Sequence, residues 1–193
     1  MIIGVAGKYC AGKNAVAEIL ESHGFESIDV DAIGHRALVE ERETLIAAFG
    51  NDIVDNEGNI DRKRLGSIVF NDRKALEKLE AVVHPRMVSM IKKRLHQRTG
   101  ARIVINAALL FRMGLDRECD VILWVTAPLI VRIHRARKRD KLSLARIIQR
   151  FWSQRKLEPQ YSANDVDIYT VQNSGSRKAV ESRVREILAK EGA

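Results

Sequence analysis

The chain has 193 residues, 46% of them hydrophobic, enough to bury one sizeable core and too few for two independent domains of typical size. Its 33 Lys and Arg outweigh 25 Asp and Glu, giving a net charge of +8 that points to an anionic partner: a nucleotide, a phosphorylated cofactor, nucleic acid or an acidic membrane surface. Two cysteines, Cys10 and Cys119, exclude a disulfide framework or a cysteine-rich metal cluster. With no charged-then-apolar leader and no apolar run of about 18 residues, a cytoplasmic protein without a membrane partner is expected.

Met1–Ala6 is an apolar run fit for a buried parallel strand. Directly after it stands Gly7-Lys8-Tyr9-Cys10-Ala11-Gly12-Lys13-Asn14, which meets the phosphate-loop pattern G-x-x-x-x-G-K-[ST] at every position but the last. The following residues place Val16, Ile19 and Leu20 at helical spacing, so the strand–loop–helix context of the motif is present. Gly7 and Gly12 let the backbone curl until successive N–H groups face inward, and the helix dipole adds to them. A phosphate chain is thus held without side chains, while Lys13 supplies a point charge to the β and γ oxygens. Asn14 offers an amide oxygen where the pattern has a hydroxyl for Mg²⁺.

Phe25–Val30 reads as a second strand, with a helix starting near Ala32. Asp31, at the strand's carboxyl end, is the candidate base for activating an attacking hydroxyl; the rival role is capping the helix, with Asp29 as the fallback carboxylate. From Ile33 to about Arg98 the pattern is helical, with Gly50, the turn at 56–59 and Pro85 as breaks, and His84-Pro85 reads as a turn between two helices. Ala101–Ile105 and Asp120–Val125 are further central strands. A cationic run then holds Arg132, Arg135, Arg137, Lys138, Arg139 and Lys141, followed by Arg146 and Arg150. Beside a phosphate loop it reads as a lid that neutralises charge on a transferring phosphoryl group. Without aromatic interleaving, a nucleic-acid partner is not expected. Asp167–Val171 and Arg177–Lys190 read as a last strand and a closing helix.

These elements predict an α/β fold: a phosphate-loop kinase core of parallel sheet and flanking helices from residues 1–33, 100–130 and 163–193, an inserted helical lobe at 34–99 and a lid at 131–162. The residues by themselves support a nucleotide-dependent phosphotransferase, on ATP or GTP, with a helical acceptor lobe.

The order of features resembles the dephospho-CoA kinase family. The resemblance rests on the phosphate loop, Ile28-Asp29-Val30-Asp31 with Ile33-Gly34-His35, Gly58-Asn59-Ile60-Asp61-Arg62, His84-Pro85, Ala108-Leu109-Leu110, Arg135 with Arg139-Asp140, Arg150 with Ser153-Gln154, and Asn173-Ser174-Gly175-Ser176. It implies transfer of the ATP γ-phosphoryl group to the ribose 3′-hydroxyl of dephospho-CoA, the last step of coenzyme A synthesis. By position, Cys10, Ala11, Gly12, Lys13, Asn14, Ala15 and Arg150 would hold ATP, and Asn14 the metal. Asp31 would be the base, with Lys13, Arg135 and Arg139 stabilising the transfer. Arg62 and His84 of the helical, CoA-binding lobe would meet the acceptor, as would Leu109. Small-molecule partners and a monomer or weak homo-oligomer are expected. The chain departs from the family pattern at Lys8, Asn14, Asn106 and Arg112. The competing readings are another nucleoside or nucleotide kinase of the same core, and an ATP-binding regulatory protein without turnover.

Overall fold

The opening apolar run forms β1 (Ile2–Gly7), the middle strand of a five-stranded sheet ordered β2-β3-β1-β4-β5. The computed structural model describes residues 1–140, 147–148, 151–152, 154, 158–159 and 166–192. Strand β1 runs parallel to β3 (Ile103–Asn106) and to β4 (Val121–Thr126), and β4 runs parallel to β5 (Asp167–Gln172). The edge strand β2 is Glu26–Asp29. Among the described residues, no helix is long and apolar enough to cross a membrane.

The chain divides into two compact units, Met1–Ile28 with Arg98–Ala193, and Asp29–Gln97. In the first, strand alternation sends Ile3 and Val5 of β1, Val104 of β3, Val121, Leu123 and Val125 of β4, and Val171 of β5 into one core. Helix α1 (Lys13–Ser22) covers it with Val16, Ala17, Ile19 and Leu20. The last helix, here α7 (Arg177–Lys190), adds Val180, Val184, Ile187 and Leu188, each such burial contributing about 1.5–3 kcal/mol. Gly4 points the other way. A Cβ there would stand 2.8 Å from Leu110 Cδ2 and 2.9 Å from Cys119 Sγ, so only glycine lets these side chains reach the sheet. Burial pushes the Cys119 thiol up, which keeps it protonated and unreactive.

The second unit holds α2 (Val30–Glu40), α3 (Arg42–Phe49), a short 3₁₀ turn at Asn51–Ile53, α4 (Arg62–Val69) and α5 (Arg73–His96). Helix α2 begins at Val30 instead of near Ala32, because the Asp29 carboxylate accepts from the N–H groups of Asp31 at 2.9 Å and Ala32 at 3.2 Å. Asp61 caps α4 in the same way, and its carboxyl is held below the ordinary carboxylate value chiefly by the Arg64 N–H.

The expected turn at His84-Pro85 is not there. Helix α5 runs for 24 residues straight through Pro85, and His84 lies half-buried in its middle. Pro85 lacks the N–H that would bond the Ala81 carbonyl, a cost of about 3 kcal/mol. Burial of Val83, Met87, Ile91 and Leu95 on the same helix exceeds it at about 1.5–3 kcal/mol each.

Candidate active site

The phosphate loop leaves β1 at Gly7, whose φ of 156° and closeness to β4 require glycine: a Cβ would lie 2.3 Å from the Val125 carbonyl oxygen. Cys10 takes a left-handed conformation at φ 58°, and Gly12, at φ 99°, stands at the N-cap of α1. The Ala11 N–H donates to the Lys8 carbonyl at 3.1 Å, closing the curl, and the Lys13 ammonium folds back to the Gly7 carbonyl at 3.2 Å. No acidic residue stands in the first turn of α1, so the positive end of its dipole faces the loop without competition.

The cationic run forms α6 (Leu129–Asp140), which lies behind this loop. Arg132 is buried; its Nε donates to the Tyr9 carbonyl at 2.8 Å and its guanidinium lies 4.6 Å from the centre of the Phe151 ring. Burial lowers its pKa from the ordinary value, but a guanidinium remains charged. Arg135 donates from Nη1 to the Ala11 carbonyl at 3.1 Å and from Nη2 to both oxygens of Asn173, at 2.9 Å (backbone) and 3.1 Å (side chain). The Arg139 guanidinium lies 5.4 Å from the centre of the Tyr9 ring, and Tyr9 meets Phe151 edge-on at 5.5 Å. The Tyr9 N–H donates to Gln154 Oε1 at 2.6 Å. Arg150 lies outside the described residues.

Asn14 sits in the first turn of α1, and its Oδ1 accepts from Asn106 Nδ2 at 3.0 Å. Asn106 ends β3. The connection from β1 goes toward β2 on one side, while that from β3 goes toward β4 on the other, so this amide pair spans the switch point where open α/β sheets bind ligands. Among the described residues no group of three or more His, Cys, Asp or Glu side chains could hold a metal ion. The pair presents neutral oxygens, and Asn14 Oδ1 keeps a second lone pair for a hard cation. That suits Mg²⁺ carried mainly by nucleotide phosphates, with the protein as a minor ligand.

In the first unit, then, the loop comes together with Arg135 at Ala11 and with Arg139 at the neighbouring Tyr9, and Leu109 lies in the turn after β3, its carbonyl accepting from the Met113 N–H at 3.0 Å. Asp31, Arg62 and His84 belong to the second unit. Asp31 is exposed in the first turn of α2, and because Asp29 does the capping, the Asp31 carboxylate is not committed to the helix's N–H groups. Arg62 is exposed at the first position of α4.

A family model described as dephospho-CoA kinase matches residues 1–178. The chain belongs to the dephospho-CoA kinase family. The dephospho-CoA kinase of Borreliella burgdorferi is 44% identical over 128 residues, which take in 66% of this chain and 62% of that protein. The aligned stretch therefore falls short of two thirds of that relative's length. The dephospho-CoA kinase of Treponema denticola is 31% identical over all of this chain and 91% of its own length. Among solved structures, dephospho-CoA kinase from Campylobacter jejuni superposes with a TM-score of 0.67 at 26% identity, covering 98% of this chain and 96% of that one.

Within this fold, two side chains on the loop's backbone, Gln154 and Asn173, are given no individual role by the motifs, and Arg132, expected in a lid, instead holds the Tyr9 carbonyl. Asn173 follows β5 in an Asn-Ser-Gly-Ser stretch whose composition signals only a turn. Its burial, at 7% exposure, marks it out in the fold.

Proposed function

We propose that the chain transfers the γ-phosphoryl group of ATP to the ribose 3′-hydroxyl of dephospho-CoA, releasing coenzyme A and ADP. The observation that carries this reading is the phosphate loop itself, with curled backbone, Lys13 and flanking arginine helix, in a chain of this family. Backbone N–H groups of the 10–15 segment, other than those of Ala11 and Ala15 that donate to the Lys8 and Gly12 carbonyls, bind the phosphate chain, and Lys13 draws charge from the β and γ oxygens. The Asp31 carboxylate accepts the proton of the 3′-hydroxyl as that oxygen forms its bond to γ-phosphorus and the bond to the β,γ-bridging oxygen breaks. Arg139, with Arg150 of the lid, adds positive charge for the transferring group. The helical unit, with Arg62 and His84, takes the coenzyme portion of the acceptor, aided by Leu109. Asn14 would be the protein's oxygen toward a Mg²⁺ bound with ATP, which would neutralise phosphate charge. The protein works in the cytoplasm on small molecules as a monomer or weak homo-oligomer, without nucleic acid.

The deciding experiment follows labelled γ-phosphate from ATP into dephospho-CoA, with nucleoside monophosphates and a no-acceptor control alongside. Product carrying a 3′-phosphate is expected. Transfer to a nucleoside monophosphate alone, or ATP binding with no transfer to any acceptor, would replace this reading by one of its two rivals.

The amide pair carries a separate expectation. Asn106→Asp places a carboxylate within reach of a nucleotide-borne cation, so affinity for Mn²⁺–ATP, read from the Mn²⁺ resonance signal, should rise about 3- to 10-fold, on the order of a kcal/mol. Unchanged Mn²⁺–ATP affinity would remove Asn14 and Asn106 from the metal's surroundings.

A further inference from the structure

We propose that Asn173, acting with Arg135 and Arg132, is a positioning residue that aims the phosphate loop's N–H groups by holding its carbonyls. In a trans peptide the C=O of one residue and the N–H of the next point in opposite directions, and the described chain has no cis peptide bond. Fixing a carbonyl on one side therefore fixes an N–H on the other. Three loop carbonyls are held: Tyr9 by Arg132 Nε at 2.8 Å, Ala11 by Arg135 Nη1 at 3.1 Å, and Gly12 by Asn173 Nδ2 at 3.3 Å. The N–H groups set by these bonds belong to Cys10, Gly12 and Lys13, all within the segment that binds phosphate in the proposed reaction.

Asn173 locks the arrangement together. Its side-chain oxygen and its backbone carbonyl both accept from Arg135 Nη2, and its own N–H donates to the Thr126 carbonyl at 2.7 Å, anchoring it to the end of β4. It is buried, so these bonds form where water competes little. A Cβ on Gly12 would lie 2.0 Å from Asn173 Nδ2, so the loop's second glycine is what admits the amide. Arg135 thereby acts through the loop backbone, with its guanidinium turned to carbonyl oxygens behind the cradle.

The test compares the wild type with Asn173→Ala and Asn173→Asp. Asp is nearly isosteric and keeps an acceptor for Arg135, but sets a carboxylate oxygen against the Gly12 carbonyl, so it separates loss of aim from loss of fold. ATP affinity is measured by calorimetry, then KM and kcat with both substrates. Both variants should bind ATP about 10-fold more weakly and raise KM for ATP to match. The kcat at saturating ATP and KM for dephospho-CoA should stay within about 3-fold of the wild type. Since two bonds of about 0.5–1.5 kcal/mol each are at stake, that size is the natural one. Arg135→Lys should weaken ATP binding similarly, with Arg135→Lys/Asn173→Ala less than additive, as expected of one network. Wild-type ATP affinity in folded Asn173→Asp, or full additivity, would overturn the proposal. The proposal rests on the ATP-dependent reading above, but calorimetry needs no acceptor, so failure of transfer to dephospho-CoA and failure of the clasp remain distinguishable.

Discussion

Replacing Asp31 with asparagine is expected to lower kcat by about 10²–10⁴-fold, the usual contribution of a positioned general base. ATP affinity and melting temperature should hardly move. The side chain is exposed in the first turn of α2, and the cap of that helix is the carboxylate of Asp29, so the amide removes neither a buried contact nor an N-cap. What it removes is the proposed proton acceptor, together with a favourable charge at the helix start worth about 0.3–1 kcal/mol. Steady-state kinetics with dephospho-CoA, run beside Asp29→Asn, check the assignment. Asp29→Asn keeps a side-chain oxygen able to cap and should leave kcat largely intact. A reversal, with Asp29→Asn inactive and Asp31→Asn active, would move the base to Asp29.

The second large effect is structural. Gly7→Ala should destabilise the fold by about 3 kcal/mol, the upper part of the range for overpacking, and take ATP binding with it. The obstacle to its Cβ is a backbone oxygen 2.3 Å away on Val125, the residue paired with Gly7 across the β1–β4 ladder. Neither strand can yield without parting the centre of the sheet. For a chain of this size such a loss lowers Tm by roughly 6–12 °C. Gly24→Ala is the control: its φ is 84° but nothing lies within 4 Å of the position, so it isolates the left-handed backbone cost of about 1–2 kcal/mol. Equal melting shifts for the two variants would mean that conformation, not the contact with β4, makes Gly7 necessary.

Much of this architecture is legible in the residues. β4 and β5 fall within one residue of the apolar runs that predict them, and Arg177–Lys190 is a helix from end to end, because one-sided burial leaves a periodic trace in sequence. The phosphate loop is legible because its chemistry depends on local glycines. Pro85 misleads since a local breaking signal is weighed without the packing of Met87, Ile91 and Leu95 that overrides it. The clasp is invisible in sequence for a different reason. Its bonds join residues 123, 124 and 161 positions apart, and neither spacing nor composition encodes a pairing at that range.

Those separations also impose a schedule on synthesis. The loop is made well before the amide that holds its Gly12 carbonyl, which is encoded 161 residues later. At about 5–20 residues per second, the nascent chain exposes an unbraced phosphate loop for roughly 8–30 s before Asn173 is made. Bracing of the loop therefore waits until Asn173 is made, and a chain released short of β5 would carry the intact motif without it.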